Sequence, residues 1–188
     1  MATVIHKTGR KDARCHHACR SGPADRNNAD QVLRKQPGHL GSGSGYNSSM
    51  SEFRFYHPIE VRYGDLDPQG HLNNAKYFTY TEQARIAYVK ELGLWDGGSF
   101  LKIGMILAEA RMTFKAPILW GQPIRVGVRV DRLGNKSFDV RYSIQDSQTK
   151  LEHASGSTIQ VAYNYQTAKT IPIPNEWRQI LTRFENLK

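Results

Sequence analysis

Residues 60–85 read EVRYGDLDPQGHLNNAKYFTYTEQAR, a stretch that joins the end of a predicted strand to the start of a predicted helix. Its opening continues residues 57–64 (HPIEVRYG), where Ile59, Val61 and Tyr63 alternate with polar residues at the period of a half-buried strand. Its second half begins a long helix. A loop with two aspartates, one histidine and two asparagines lies between strand and helix, and loops held by rigid elements are where functional sites usually lie.

The helix is predicted over residues 75–92, with Asn73 or Asn74 as its N-cap and Gly93 as its C-terminal stop. A helix of this length spans about 27 Å. Its apolar residues follow spacings of three and four, so one stripe can lie along a sheet. The stripe consists of Tyr77, Tyr80, Ala84, Ala87, Tyr88 and Leu92.

Four segments after the helix alternate apolar and polar residues with the period of a strand. The second and third are joined across Gly134-Asn135, a pair suited to the positive φ angles of a tight hairpin, so we expect antiparallel neighbours. The segments are residues 104–116, with Ala108, Ala110, Met112 and Phe114 on one face, and residues 124–133, 138–145 and 152–165.

A short amphipathic helix is predicted to open at Pro174 and to carry Trp177, Ile180, Leu181 and Phe184. The order of elements is therefore a strand, a long helix, four antiparallel strands and a short helix. We predict an α+β fold, in which a curved antiparallel sheet wraps around a long central helix.

Residues 1–49 differ in composition from the rest of the chain. They hold eight Lys or Arg against three Asp, which is +5 of the formal net charge of +9, and end in the Gly/Ser stretch 41–45. Because they lack hydrophobic periodicity, we expect a disordered basic tail, with the folded domain at residues 50–188. A chain start at Met50 would also give a complete domain, and the acidic residues argue against a transit peptide.

Both cysteines lie in this tail, in the stretch Cys15-His16-His17-Ala18-Cys19, which resembles a zinc motif. His6 or His39 would be remote extra ligands, and apolar residues to pack around such a site are missing, so we expect no metal. The domain itself has no thiol, which excludes thiol-based catalysis. Its apolar runs are too short to span a membrane, and we predict a soluble, cytoplasmic protein.

Residues 60–85 resemble the first motif of the hotdog thioesterases related to 4-hydroxybenzoyl-CoA thioesterase, with an aromatic, Gly, Asp, any residue, Asp, then Gly, and later a helical Tyr. Residues 114–118 (FKAPI) and 121–124 (GQPI) look like the family's strand, turn and strand, and the similarity covers residues 55–170. The resemblance implies a hotdog fold and a dimer or tetramer. In the dimer the helices would lie side by side, with acyl sites at the subunit interface.

The resemblance also implies that Asp67 is the catalytic carboxylate and that Asp65 supports the turn. An ionised carboxylate can attack a thioester carbonyl or deprotonate the water that attacks it, and both roles stay open. The developing oxyanion needs preorganised donors, and amides of residues 70–74 or amides near Ala108 are candidates. Glu82 is a rival carboxylate, although an ion pair with Arg85 three residues later is the simpler interpretation.

Four residues near Asp67 are candidates for binding or positioning the substrate: Gly70, His71, Asn74 and Tyr77. His71 either fixes the loop by a hydrogen bond or positions water or substrate, and Asn74 is either an N-cap or a substrate contact. The tyrosine stripe on the helix is typical of core or dimer contacts.

We therefore predict an acyl-CoA thioesterase that uses Asp67 and needs no cofactor, with Arg132 and Lys136 beside the hairpin as candidate contacts for the CoA phosphates. The alternatives are an acyl-carrier-protein thioesterase and a non-catalytic acyl-CoA binding protein, since fold alone does not establish turnover. We expect no specific nucleic-acid binding, because a charge of +5 on a flexible tail gives only salt-sensitive contacts.

Overall fold

The computed structural model describes residues 53–95, 98–99 and 104–187. The predicted tail, residues 1–49, lies outside the described residues. The described part forms six strands, two helices and a single 3₁₀ turn, Tyr63–Asp65. The elements are β1 (Phe55–Ile59), α1 (Asn74–Glu91), β2 (Met105–Phe114), β3 (Ile124–Leu133), β4 (Ser137–Asp146), β5 (Glu152–Asn164), β6 (Lys169–Thr170) and α2 (Asn175–Glu185).

The strands form one antiparallel sheet in the order β1-β3-β4-β5-β2, and the two-residue β6 pairs with β5. The predicted antiparallel sheet is therefore confirmed. The chain leaves the sheet after β1 at one edge, passes through α1 and returns as β2 at the opposite edge. The loop with the two aspartates and helix α1 thus connect the two outermost strands of this path.

The core lies on the sheet face that α1 covers. Helix α1 contacts β1 and β3, and β3 is buried continuously over residues 126–130, whereas burial along β4 largely alternates. Four members of the predicted stripe of α1 are buried, but the buried face also includes Arg85, so it is not purely apolar. Buried core residues include Tyr77, Tyr80, Ala84, Tyr88, Val126, Val128, Val130, Val140, Tyr142 and Ile144.

Helix α1 has the N-cap and the stop that its sequence favours. The side chain of Asn73 accepts a hydrogen bond from the N–H of Ala75 at 2.9 Å, so Asn73 is the N-cap and Asn74 is the first helical residue. Gly93 follows the helix with φ at 70°, a conformation that glycine adopts without a steric penalty. Asn74 is therefore free of the capping role.

Helix α2 begins after Pro174, as predicted, and docks on the core. Leu181 is buried, and the buried carboxylate of Glu185 accepts hydrogen bonds from the Tyr88 hydroxyl at 2.6 Å and from the Val130 N–H at 3.2 Å. These two bonds join α2 to α1 and to β3.

Strand β1 ends at Ile59, earlier than the predicted strand over residues 57–64. Val61 is still buried, but Tyr63 is 77% exposed and does not share the predicted buried face. The reason is local, because the chain turns out of the sheet into the 3₁₀ turn. There the backbone N–H and the guanidinium of Arg62 both bond to the carboxylate of Asp65.

The connection between β3 and β4 differs from the prediction in its backbone angles. Leu133 pairs with Phe138 in an antiparallel hairpin, as predicted, but neither Gly134 nor Asn135 has a positive φ, so the expected positive φ angles at this pair are wrong. Gly134 instead donates its N–H to the carbonyl oxygen of Ser137 at 2.7 Å. A Cβ at position 134 would lie 3.0 Å from that oxygen, which explains the glycine.

A β-bulge interrupts the predicted face of β2. The register with β5 shifts between Leu107 and Glu109, which leaves Ala108 out of the pairing. Leu107 therefore replaces Ala108 on the face that Ala110, Met112 and Phe114 share.

Candidate active site

A tight turn fixes one oxygen of the Asp67 carboxylate. Oδ1 accepts the backbone N–H of Gln69 at 2.9 Å and that of His71 at 3.2 Å. Gly70 closes the turn through its N–H, 3.0 Å from the carbonyl oxygen of Asp67, with φ at 80°, where glycine is favoured. The other oxygen, Oδ2, accepts no hydrogen bond from the described residues.

This turn is attached to the loop that follows β2. The N–H of Asp67 donates to the carbonyl of His71 at 2.8 Å, and the N–H of Leu72 donates to the carbonyl of Ile118 at 2.8 Å. His71 also forms an isolated β-bridge with Leu119. Segments far apart in sequence thereby form two walls of one site.

Asp67 lines an open pocket of about 360 Å³. Three of the predicted positioning residues, His71, Asn74 and Tyr77, border this pocket with it, whereas Gly70 shapes the turn without lining the pocket. The remaining wall residues are Gln69, Leu72, Phe114, Lys115, Ala116 and Pro117.

Tyr77 is the aromatic wall of the pocket. Its side chain is buried and its ring packs edge-on against Phe114, with 4.9 Å between centroids. Burial raises the pKa of the Tyr77 phenol, a hydrogen bond with the backbone of Ile118 partly offsets this, and the charge of Asp67 adds to the rise. The phenol is therefore neutral at ordinary pH and can serve as a hydrogen-bond donor.

One amide at the start of α1 is unused. Every backbone N–H from Gln69 to Lys76, a segment the structure describes throughout, donates within the protein except that of Asn74. Helix N-termini carry a partial positive charge. Asn74 borders the pocket with Asp67, so a residue of the pocket wall has an N–H that no acceptor in the described residues uses. Ala108 does not line this pocket.

Asp65 is buried and has several donors. Arg62 Nε lies 3.1 Å, Lys76 Nζ 3.2 Å and the Tyr80 hydroxyl 3.0 Å from its carboxylate. Burial alone would raise the pKa of Asp65, but the hydrogen bonds from these side chains lower it to about 2. Its carbonyl oxygen also accepts the N–H of Asn73 at 3.0 Å. Such a carboxylate is suited to holding the turn, in line with the prediction.

Glu82, the rival carboxylate, does not border the Asp67 pocket. Its side chain is 67% exposed and lies 3.4 Å from the guanidinium of Arg85. Arg85 itself is buried and also donates to the hydroxyl of Tyr142 at 3.3 Å. The predicted ion pair between Glu82 and Arg85 is present, but the Arg85 side chain is buried in the protein interior.

The two candidate contacts for CoA phosphates lie elsewhere. Arg132 makes a two-pronged ion pair with Asp139, at 2.7 and 3.1 Å, and Lys136 Nζ lies 3.3 Å from the hydroxyl of Thr170. Neither residue lines the Asp67 pocket. Their role in CoA binding stays a prediction.

The sequence did not assign six wall residues to the site, namely Gln69, Leu72, Phe114, Lys115, Ala116 and Pro117. Lys115 pairs with Glu152, which also accepts a hydrogen bond from Ser143 at 2.6 Å. Residues 114–118 resemble a strand and turn of the family, but the alternating pattern does not show that this strand end meets the Asp67 turn. That proximity depends on the β-bridge between His71 and Leu119.

Within residues 53–95, 98–99 and 104–187, no group of three or more His, Cys, Asp or Glu side chains is placed to hold a metal ion. The same residues include no helix that is long and apolar enough to cross a membrane.

A family model described as "thioesterase-like superfamily" matches residues 61–181. The protein YsmA of Bacillus subtilis (strain 168) is 21% identical over 131 residues, which cover 70% of this chain and 87% of YsmA. Residues 61–181 include the Asp67 turn, α1 and the whole sheet after β1.

Solved structures show the same fold. A thioesterase from Thermus thermophilus, in complex with coenzyme A and Zn, is 27% identical with a TM-score of 0.65, covering 72% of this chain and 97% of that one. A 1,4-dihydroxy-2-naphthoyl-CoA thioesterase from Synechocystis is 19% identical with a TM-score of 0.61, covering 68% and 94% respectively. The family model matches more than half of the chain, and the chain belongs to the thioesterase-like superfamily of hotdog proteins.

Proposed function

We propose that this protein hydrolyses an acyl-CoA to the free acid and CoA, with Asp67 as the catalytic carboxylate. The observation that carries the proposal is the pairing of Asp67 and Asn74 in one pocket. Asp67 offers Oδ2 without a hydrogen-bond donor from the described residues, and Asn74 offers an unused N–H. Attack on a thioester carbonyl requires a carboxylate, as nucleophile or base, together with a hydrogen-bond donor for the oxyanion.

In the proposed reaction the thioester carbon lies next to Asp67 Oδ2 and the carbonyl oxygen points to the N–H of Asn74. Oδ2 either attacks the carbon or removes a proton from the water that attacks it. The C–S bond then breaks, and the electron pair leaves on the sulfur of CoA, which takes up the proton that Asp67 removed from water or, if Oδ2 attacked the carbon, a proton from solvent. In the second case the acyl group is left on Asp67 as a mixed anhydride, which water hydrolyses to release the acid and regenerate the carboxylate. The Asn74 N–H and the helix N-terminus stabilise the oxyanion between these steps. His71 and Tyr77 position the substrate.

We further propose that the sheet curves around α1 as the central helix.

We also propose that the protein forms at least a dimer, with the sites at the interface. Strand β2 supports the dimer, because it is an edge strand with exposed apolar residues. Leu107 is 51% exposed and Phe114 is 46% exposed, and Phe114 also lines the Asp67 pocket. A second copy that covered this edge would therefore border the site.

The Thermus thermophilus relative supports CoA as the carrier, because that protein is in complex with coenzyme A. Arg132 and Lys136 are proposed as contacts for the phosphates, and an acyl-carrier-protein thioester is the alternative substrate. We also propose a cytoplasmic location, since residues 50–188 have no cysteine and so need no oxidising compartment.

The test is thiol release from a panel of acyl-CoAs that differ in chain length and in aromatic character, with acyl carrier protein thioesters alongside. We expect turnover of at least one acyl-CoA by the wild type and almost none by Asp67→Asn. A wild-type protein that binds acyl-CoA by calorimetry but releases no thiol from any substrate would instead be an acyl-CoA binding protein.

A further inference from the structure

We propose that Tyr80 is a positioning residue for the reaction, which acts through Asp65 to hold the Asp67 turn against the start of helix α1. The inference rests on the proposed function, since it assigns a role within the same site. Tyr80 does not line the Asp67 pocket, so it would affect the rate without touching the substrate.

Asp65 connects the two halves of the site. Its carbonyl oxygen accepts the N–H of Asn73 at 3.0 Å, and Asn73 caps the helix immediately before Asn74. Its carboxylate forms an ion pair with Lys76 and accepts a hydrogen bond from Tyr80. These two residues are four positions apart and hence on the same face of α1. Because Asp67 follows two residues later, the position of Asp65 sets the separation between Asp67 and the Asn74 amide.

The three side chains that bind Asp65 differ in how firmly they can hold it. Arg62 belongs to the same turn and its side chain is 67% exposed, while the side chain of Lys76 is 35% exposed. Tyr80 is 2% exposed and its bond to Asp65 is buried. Exposed ion pairs contribute little, whereas a hydrogen bond to a charged group in the interior is strong. Tyr80 is thus the firmest link between the turn and the helix.

The protonation of Tyr80 fits this role. Burial raises the pKa of its phenol, and the hydrogen bond to Asp65 and the charge of Asp65 raise it further. The hydroxyl therefore stays protonated and donates a hydrogen bond to the carboxylate of Asp65, which stays ionised.

The experiment compares Tyr80→Phe with a matched control, Tyr88→Phe. Tyr88 is on the same helix, is equally buried and also donates its hydroxyl to a buried carboxylate, that of Glu185. It does not line the Asp67 pocket. Both variants lose one buried phenol bond, so both should lose stability. Tyr80→Phe alone should lower kcat, by about tenfold with KM nearly unchanged, because small misplacements of reacting groups cost rate.

A double-mutant cycle tests whether Tyr80 acts through Asp65. In an Asp65→Asn background, Tyr80→Phe should change kcat by less than about twofold, since the partner that it positions is already altered. Full additivity of the two changes in kcat would contradict the proposal. An equal loss of kcat in Tyr80→Phe and Tyr88→Phe would also overturn it, because the effect would then be one of general stability.

Amide hydrogen exchange gives a readout that does not depend on turnover. Gln69 and His71 donate their amides to Asp67, so a loosened turn should exchange these amides faster in Tyr80→Phe than in Tyr88→Phe. Unchanged exchange at both amides would contradict the positioning role. If the wild type hydrolyses no thioester, the proposed function fails, and faster exchange in Tyr80→Phe would still support the mechanical link.

Discussion

The Oδ1 atom of Asp67 lies 3.2 Å from the backbone nitrogen of His71, and the carbonyl of His71 accepts the N–H of Asp67 at 2.8 Å. This reciprocal pair holds the carboxylate by one oxygen and leaves the other for chemistry. An asparagine at this position keeps an oxygen for the turn but cannot act as nucleophile or base.

We therefore expect Asp67→Asn to lower kcat by at least about 10², while the dimer and acyl-CoA binding persist. Thiol release at saturating acyl-CoA is the measurement. Glu82→Gln is the matched control, since Glu82 is exposed and outside the pocket, and kcat should change only modestly. Activity of Asp67→Asn within about threefold of wild type would contradict this mechanism, and an inactive Glu82→Gln would assign the chemistry to Glu82.

The role of the Asn74 amide can be tested with proline. Asn74 is the first helical residue, where proline is favoured, and Asn73 has ψ at 136°, which suits a residue before proline. Asn74→Pro should preserve the helix but lower kcat by about 10², because the N–H is lost. Asn74→Ala keeps the N–H and should stay within about fivefold of wild type, a loss well below that of an oxyanion donor. Equal activity of the two variants would remove this amide from the mechanism.

The lowered pKa of Asp65 predicts a dependence of stability on pH. Its pKa falls from an ordinary 3.8 to about 2, so the charged form stabilises the folded state above about pH 4. This contribution is lost as the pH falls from about 4 towards 2. We expect the melting temperature of wild type to decline more steeply over this range than that of Asp65→Asn. Parallel declines would mean that the carboxylate makes no net electrostatic contribution.

The dimer proposal predicts that a charge on the exposed edge separates the copies. Leu107→Lys should shift the protein towards monomer in size-exclusion chromatography with light scattering, because β2 would carry a lysine on its apolar face. Leu151→Lys is the control, since Leu151 is 55% exposed, as against 51% for Leu107, and precedes β5. A Leu107→Lys protein that is still fully dimeric would place the interface elsewhere.

Contacts to the CoA phosphates should depend on salt. We expect Lys136→Ala to raise KM more than it lowers kcat, and the increase should shrink as salt is added, because exposed charges are screened. Lys136 Nζ also donates a hydrogen bond to the hydroxyl of Thr170 at 3.3 Å, and the alanine substitution removes this bond as well. The melting temperature of Lys136→Ala, compared with that of wild type, measures the loss of this bond independently of KM. An unchanged KM at low salt would exclude Lys136 as a phosphate contact.

The elements of the fold were predictable because each has a local signal. The alternation along β3 and β4, the cap at Asn73 and the stop at Gly93 all depend on residues close in sequence. Tyr63 was misplaced because the capping contact between Arg62 and Asp65 ends the strand, whereas periodicity alone would extend it.

The pocket could be predicted only in part. His71, Asn74 and Tyr77 follow Asp67 in one stretch of sequence, so they were found together. Lys115 joins them only through the contacts between two loops, which leave no periodic signal. The burial of Arg85 was missed for a similar reason, since its partner Tyr142 is 57 residues away.

The strand order has a consequence for how the chain acquires its structure. Strands β3, β4 and β5 are neighbours both in sequence and in the sheet, so they can pair as soon as they are synthesised. Strand β2 pairs with β5, and β1 pairs with β3, so each of these two strands pairs with a segment that is distant in sequence. Contacts between distant segments form slowly, so we expect a β3–β4–β5 nucleus with the two outer strands added later. The Asp67 turn and helix α1 lie between those late strands. Catalytic competence is therefore expected to be the last property to develop during folding.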